Sequence, residues 1–128
     1  MVLGLGMPKS KKDPSPFRST CPVSSILDIL GDKWTLLIVR DLLLGQSRFK
    51  DFIAAEEGIT TNILSDRLDR LQRFGVIEKV MSEGYPKHPE YRLTKRGEEL
   101  SPIIGEMIRW SLRNLESVDL PPGTPWSS

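Results

Sequence analysis

The alternation of apolar and polar positions divides the chain into four helices, a hairpin and a last helix, set between two polar ends. "SSILDIL", residues 24–30, puts Ile26, Leu27 and Leu30 on one side of a short helix that Ser24 or Ser25 can cap and Gly31 can end. "KWTLLIVRDLLLG" follows, capped by Asp32 and closed by Gly45. It is apolar almost all round, the mark of a central helix. "SRFKDFIAAEEG" supplies a short polar link and a third helix with Phe49, Phe52 and Ile53 on its inner side. Gly58 turns the chain and Thr60 is the N-cap of a fourth helix. At about 100° per residue Leu64, Leu68 and Leu71 form its buried stripe. Asn62, Ser65, Asp66 and Asp69 fall on the opposite side. Arg67 lies on the buried flank, where it fits as a partner for an internal carboxylate. Gly75 ends this helix.

Beyond Gly75 the period changes from helical to two. "VIEKVMS" alternates Val76, Glu78 and Val80 against Ile77, Lys79 and Met81, and "EYRLT" is a second short strand. The turn-like "EGYPKHP" between them makes a hairpin whose tip holds Tyr85, Lys87 and His88. Thr94 caps the final helix, whose apolar positions are Leu100, Ile103, Ile104, Met107, Ile108, Leu112 and Leu115, with Trp110 beside them. Pro102 would cost about 3 kcal/mol inside a regular helix, yet Ser101-Pro102 is a good helix start, so a bend or break is expected there. The stripe is wide for a terminal helix of a small domain, and part of it suits a second copy of the chain. These elements occupy residues 21–115. Residues 1–20, rich in Lys, Ser and Pro, read as a flexible basic arm, and residues 116–128 as a Pro-rich tail.

Charge narrows the functional classes. The net charge is only +1. Lys9, Lys11, Lys12 and Arg18 against Asp13 leave an excess of three in the arm, while residues 21–115 carry 14 basic and 14 acidic side chains. A strongly basic footprint for nucleic acid is absent, so any DNA binding depends on where the charges sit. No apolar run approaches the roughly 20 residues of a membrane span. The opening "MVLGLGMPKSKK" has its bases after its apolar residues, the wrong order for a secretory signal. A cytoplasmic protein is expected, and the single cysteine, Cys21, fits a reducing compartment.

Catalysis has little support. One His and one Cys, far apart, offer no nucleophile–base spacing. No metal-ligand spacing, phosphate-cradling glycine loop or cofactor motif occurs. Glu56-Glu57 and Glu98-Glu99 read as solvated charge at helix ends, and His88 as an exposed loop residue. The order of elements instead gives an α+β, mostly helical fold: a winged helix-turn-helix with a small antiparallel β wing, in which the second helix of the motif enters the major groove. On that helix Asn62 can pair with adenine at two points, and Thr61 and Ser65 can take either kind of partner. Short side chains also let the backbone approach the bases. The plainer reading, that Thr, Asn and Ser open a helix because they cap it, fits the same residues. Asp66 and Asp69 repel phosphates, so Arg48, Lys50, Lys87 and the Lys9–Lys12 arm are the candidate phosphate contacts. Thr60, Asp66, Tyr85 and His88 complete the candidate DNA-facing set.

Five segments, in order, are similar to a known family: "CPV", "GDKWTLLIVRDLLLG", "RFKDF", "ITTNILSDRLDRLQRFGVI", and "EYRLTKRGEEL" leading to Trp110. From Cys21 to Leu115 the chain resembles the HxlR-type winged-helix transcriptional regulators. The resemblance implies a homodimer built by the first and last helices and bound to double-stranded operator DNA. It also implies regulation of nearby genes, often in response to an oxidant, an electrophile or a small metabolite. The candidate dimer face comprises Cys21, Val23, Ile26, Leu27 and Leu30 of the first helix. Ile103, Ile104, Met107, Ile108, Trp110, Ser111 and Leu115 of the last helix complete it. One stretch departs from the family pattern: relatives tend to have Pro-Pro, a base and Val before "EY", and this chain has "PKHPEY". Cys21 sits where several redox-sensing relatives carry their reactive thiol. Its nearness to a helix N-terminus and to Arg18 would favour the thiolate, whereas a small half-buried packing residue is the structural alternative. A rival function of another class is a winged helix used for protein–protein contact, its DNA face lost.

Overall fold

The computed structural model describes residues 16–120 and 122–126. The order is α1 (Pro22–Leu30), α2 (Thr35–Leu43), α3 (Phe49–Ile53), α4 (Thr61–Arg73), β1 (Ile77–Met81), β2 (Pro89–Leu93), α5 (Lys95–Glu98) and α6 (Ser101–Asn114). Val39, Leu64 and Leu71 are wholly inaccessible, and Ile38, Phe52 and Leu68 nearly so. The core therefore lies among α2, α3 and α4, and Ile77 and Tyr91 of the hairpin join it. Leu64, Leu68 and Leu71 are the expected stripe.

Most boundaries follow from local chemistry. Asp32 caps α2: its Oδ1 accepts from the N–H groups of Trp34 (2.8 Å) and Thr35 (3.0 Å). The hydroxyl of the fully buried Thr35 donates to the same carboxylate at 2.6 Å. Thr60 caps α4 by accepting from Ile63 N–H. Gly75 closes α4 with φ of 73°, a left-handed turn in which Gly75 N–H reaches Gln72 O (3.0 Å) and Val76 N–H reaches Leu71 O (2.9 Å). The paired strands are antiparallel in the register Ile77↔Leu93 to Met81↔Pro89. Glu78 and Arg92 face each other and pair at 2.9 Å. Tyr91 N–H also donates to Ser47 O (2.7 Å), tying the hairpin to the α2–α3 connection.

Three expectations need correction. The third helix is a single turn, because the chain leaves the helix at Ala54, and Glu57 is not solvated charge: both its oxygens accept from Arg40, at 2.8 and 3.0 Å. The expected break in the last helix is present, at Glu99–Leu100, with Thr94 capping α5 and Ser101-Pro102 opening α6. The described part of the expected tail, residues 116–120 and 122–126, is packed at Trp126. The chain returns along α6, and Trp126 is 8% exposed within the core cluster, its Nε1 donating to Ser101 O at 2.8 Å. Gly105 makes room for it, since a Cβ there would lie 2.9 Å from the indole Cδ1. Finally, the arm is anchored at its end: Phe17 stacks on Phe74 with centroids 6.0 Å apart, and Arg18 pairs with Asp28. Residues 1–15, with Lys9–Lys12, lie outside the described residues.

Candidate nucleic-acid interface

The α3–α4 pair with its connecting turn is a helix-turn-helix, and the β1–β2 hairpin follows as its wing. Burial of Leu64, Leu68 and Leu71 fixes the rotation of α4. Thr61, Asn62, Ser65, Asp66 and Asp69 are consequently exposed together, as one row. Among the described residues no hydrogen bond uses the side chains of Thr61, Asn62 or Ser65, whereas the Thr60 hydroxyl is engaged as the cap. Thr60 thus has a structural task that competes with base contact.

Flanking this row, Lys50 is exposed on α3, and Arg48 is half-buried at the α3 N-cap, where its N–H donates to Asp51 Oδ2 at 3.0 Å. At the wing tip Tyr85 is 98% exposed and Lys87 is exposed beside it. His88 departs from expectation. It is half-buried, its N–H donates to Ser82 Oγ (2.9 Å), its carbonyl accepts from Ser82 N–H (2.8 Å), and its Nδ1 lies 3.7 Å from Glu90. It closes the hairpin rather than extending from it.

Behind the row lies a charge cluster. Arg67 does partner an internal carboxylate, with its Nε 3.2 Å from Asp32 Oδ1. This is an ion pair without the alignment of a hydrogen bond. Arg70 Nη1 donates to Asp32 Oδ2 at 3.0 Å, and both arginines also face Asp66. Burial pushes the Asp32 carboxyl up, but hydrogen bonds from Thr35 and from Trp34 N–H, with the Arg67 guanidinium beside them, outweigh it and hold the group at about 2. A second cluster sits on α2, where burial pushes Asp41 up while Arg40 donates to it at 2.9 Å. Arg70 was not singled out in the sequence. Its signal was its place three residues after Arg67, on the same flank of α4.

The candidate dimer residues separate into two groups. Val23 and Leu27 on α1, and Ile103, Met107 (50%) and Trp110 (55%) on α6, are exposed, as is Leu115 just beyond it. Ile26, Ile108 and Ser111 are half-buried. Leu30 and Ile104 are turned inward and belong to the core, because each is on the edge of its stripe that faces α2. Cys21 is the N-cap of α1 and exposed, not half-buried. Arg18 is committed to Asp28, whose carboxyl it lowers, instead of facing the thiol. No group of three His, Cys, Asp or Glu able to hold a metal ion occurs among the described residues.

A helix-turn-helix with one row of short polar side chains on its second helix, followed by a projecting two-stranded wing, defines the class: a winged helix-turn-helix protein. Residues 29–119 match the family of HxlR-like helix-turn-helix proteins. An uncharacterized HTH-type transcriptional regulator of Bacillus subtilis (strain 168), YvaP, is 38% identical over 92 residues, covering 71% of this chain and 85% of its own. The crystal structure of PA1607 superposes with a TM-score of 0.73 at 38% identity, over 81% of this chain and 72% of that one. The redox regulator HypR in its reduced form gives 0.68 at 30% identity, over 75% and 95%. HypR in its oxidized form gives 0.67 at 31% identity, over 78% and 100%. The chain belongs to the HxlR family of winged helix-turn-helix transcriptional regulators.

Proposed function

We propose that this regulator binds operator DNA in the cytoplasm as a homodimer, reading base edges with Thr61, Asn62 and Ser65 of α4. One observation carries the reading: the outward row of α4 is short, polar and exposed while the wing stands beside it with Tyr85 and Lys87 in solvent. Long charged side chains would hold the helix backbone away from the bases; these do not. Lys50 and Lys87 serve as phosphate contacts that fix register, and Asp66 and Asp69 limit the affinity for DNA in general. The open apolar rows of α1 and α6 are the surfaces through which two copies join. Fluorescence-anisotropy titration against the protein's own promoter fragment and a scrambled fragment of equal length tests this. Selective binding to the promoter is expected, and equal affinity for both fragments refutes it.

A redox input through Cys21 is the second reading. The thiol is exposed at the head of α1, two residues before Val23 of the open apolar row. HypR, similar in fold and sequence, has been solved in reduced and oxidized forms. With one cysteine per chain, oxidation leads to a mixed disulfide, a sulfenic acid or a bond between subunits.

A further inference from the structure

Asp32 lies outside the reading row, yet it receives more donors than any single task needs. Three come from the start of α2: Trp34 N–H, Thr35 N–H and the Thr35 hydroxyl. The flank of α4 adds a fourth, Arg70 at 3.0 Å, and an ion pair with Arg67 at 3.2 Å. A helix cap requires only the first set. The second set joins the entry of α2 to the middle of the reading helix, and it continues outward, since Arg67 donates to Asp66 and Arg70 approaches it within 3.9 Å. Two arginines and two carboxylates thus form a neutral, closed group. The Asp32, Arg67 and Arg70 side chains are about three-quarters or more buried, so solvent screens them less than a surface pair.

The connection backward from Asp32 is equally tight. Gly31 ends α1 with its N–H on Leu27 O at 2.8 Å, and a Cβ at Gly31 would stand 2.3 Å from that oxygen. Asp32 therefore follows directly on a residue fixed to the last turn of α1, the helix that leaves Val23 and Leu27 open. Any change in the seating of α1 reaches Asp32 across one closely packed residue.

We propose that Asp32 is a positioning residue for DNA recognition: it sets the orientation of α4 relative to α1 and α2, and it holds Arg67 and Arg70 away from the phosphate backbone. Operator selectivity then depends on the Asp32 charge although Asp32 touches no base. The inference rests on the DNA-binding reading above. Without the clamp, the two arginines keep only Asp66, whose side chain is 57% exposed, and they gain the freedom to reach any phosphate beside the reading row. General affinity rises while the row loses its fixed angle, so selectivity falls from both sides.

The test compares the full chain with Asp32→Asn, which keeps an oxygen to accept the Trp34 and Thr35 N–H groups while removing the charge. Binding to the promoter fragment and to a scrambled fragment is measured from about 50 to about 200 mM salt. The promoter-to-scrambled ratio should fall about tenfold, the equivalent of one base contact. The salt slope on the scrambled fragment should steepen by about 0.9 for each arginine freed. A merely structural role would weaken both fragments alike and leave the slope unchanged, and that result overturns the proposal. Should Asp32→Asn lose its helical circular dichroism, Arg70→Gln takes its place: it removes one arm of the clamp and leaves the cap intact. Selectivity should again fall, now without a steeper slope because the cation is gone, and an unchanged ratio overturns the proposal. If the unmodified protein fails to distinguish the fragments, the DNA-binding reading itself is wrong and the inference goes with it.

Discussion

Met107→Asp is the sharpest perturbation of the proposed dimer. Met107 is midway along α6 with half its surface open, one turn after Ile103 and one before Trp110. Full burial of a Met side chain contributes about 1.5–3 kcal/mol, so covering the exposed half contributes about 1 kcal/mol. A two-fold interface uses each residue twice, giving about 2 kcal/mol per dimer from this position. Aspartate removes that and adds two carboxylates without partners, each costing a few kcal/mol when desolvated. The total, about 6 kcal/mol or more, raises the dimer Kd by more than about a thousandfold. Sedimentation velocity over a concentration series reads this directly. The unmodified protein should run at twice the 14.5 kDa chain mass and Met107→Asp at the single-chain mass, with unchanged circular dichroism. Met107→Leu, which keeps the apolar volume, should stay dimeric. An unmodified protein at 14.5 kDa throughout, or a Met107→Asp variant that remains dimeric, refutes the assignment of this face.

Trp126→Ala should lower stability by about 3 kcal/mol or more, as for a buried aromatic in a core, and thermal melts would show it. A melt unchanged from the parent would mean that the C-terminal return adds nothing. Asn62→Ala should lose discrimination at about 1–3 kcal/mol per two-point base contact, whereas Lys87→Ala should weaken all sequences alike and flatten the salt slope. Equal losses on promoter and scrambled DNA for Asn62→Ala would exclude base reading there. Asp32, depressed from 3.8 to about 2, contributes stability that is complete above about pH 4 and is lost as pH falls toward about 2. The difference between the parent and Asp32→Asn in urea melts, roughly 2 kcal/mol, should therefore close across that window; a gap that persists at low pH would contradict the lowered carboxyl. Diamide should change promoter affinity for the parent but not for Cys21→Ser, and equal affinity in all four samples would make Cys21 inert.

Sequence alone carried the parts of this fold that repeat locally. Leu64, Leu68 and Leu71 recur with the helical period, so the buried side of α4 and its opposite, exposed row follow from spacing. Arg67 was readable for the same reason, being polar on an apolar flank. Its partner was not. Asp32 announces a helix cap, and nothing local says that the same carboxylate also receives two arginines from 35 and 38 residues away. Trp126 was hidden by its surroundings, since "LPPGTPW" reads as loop and one aromatic has no period. A Gly at 105, small where α6 could have been bulky, was the only sign that something packs there. Leu30 and Ile104 share stripes with the open face, and stripe width does not tell which edge meets the chain's own core.

The charge arrangement explains why such a protein would need two copies. Asp66 and Asp69 occupy the reading row, and the arginines nearest to it are committed inward to Asp32. Each phosphate contact gives affinity for every sequence, while each base contact gives it for one. A protomer with few free cations at its interface gains little from DNA in general, so its half-site binding is weak, on the order of 10 μM. Joining two such protomers rigidly makes the second contact intramolecular at an effective concentration of about 1 mM. The pair then binds near 0.1 μM, and a mismatch in either half-site still carries its full penalty of about 1–3 kcal/mol. On the proposed reading, weak phosphate contact and the dimer face on α1 and α6 are one arrangement: the first would suppress binding elsewhere, and the second would restore affinity only where both rows find their bases.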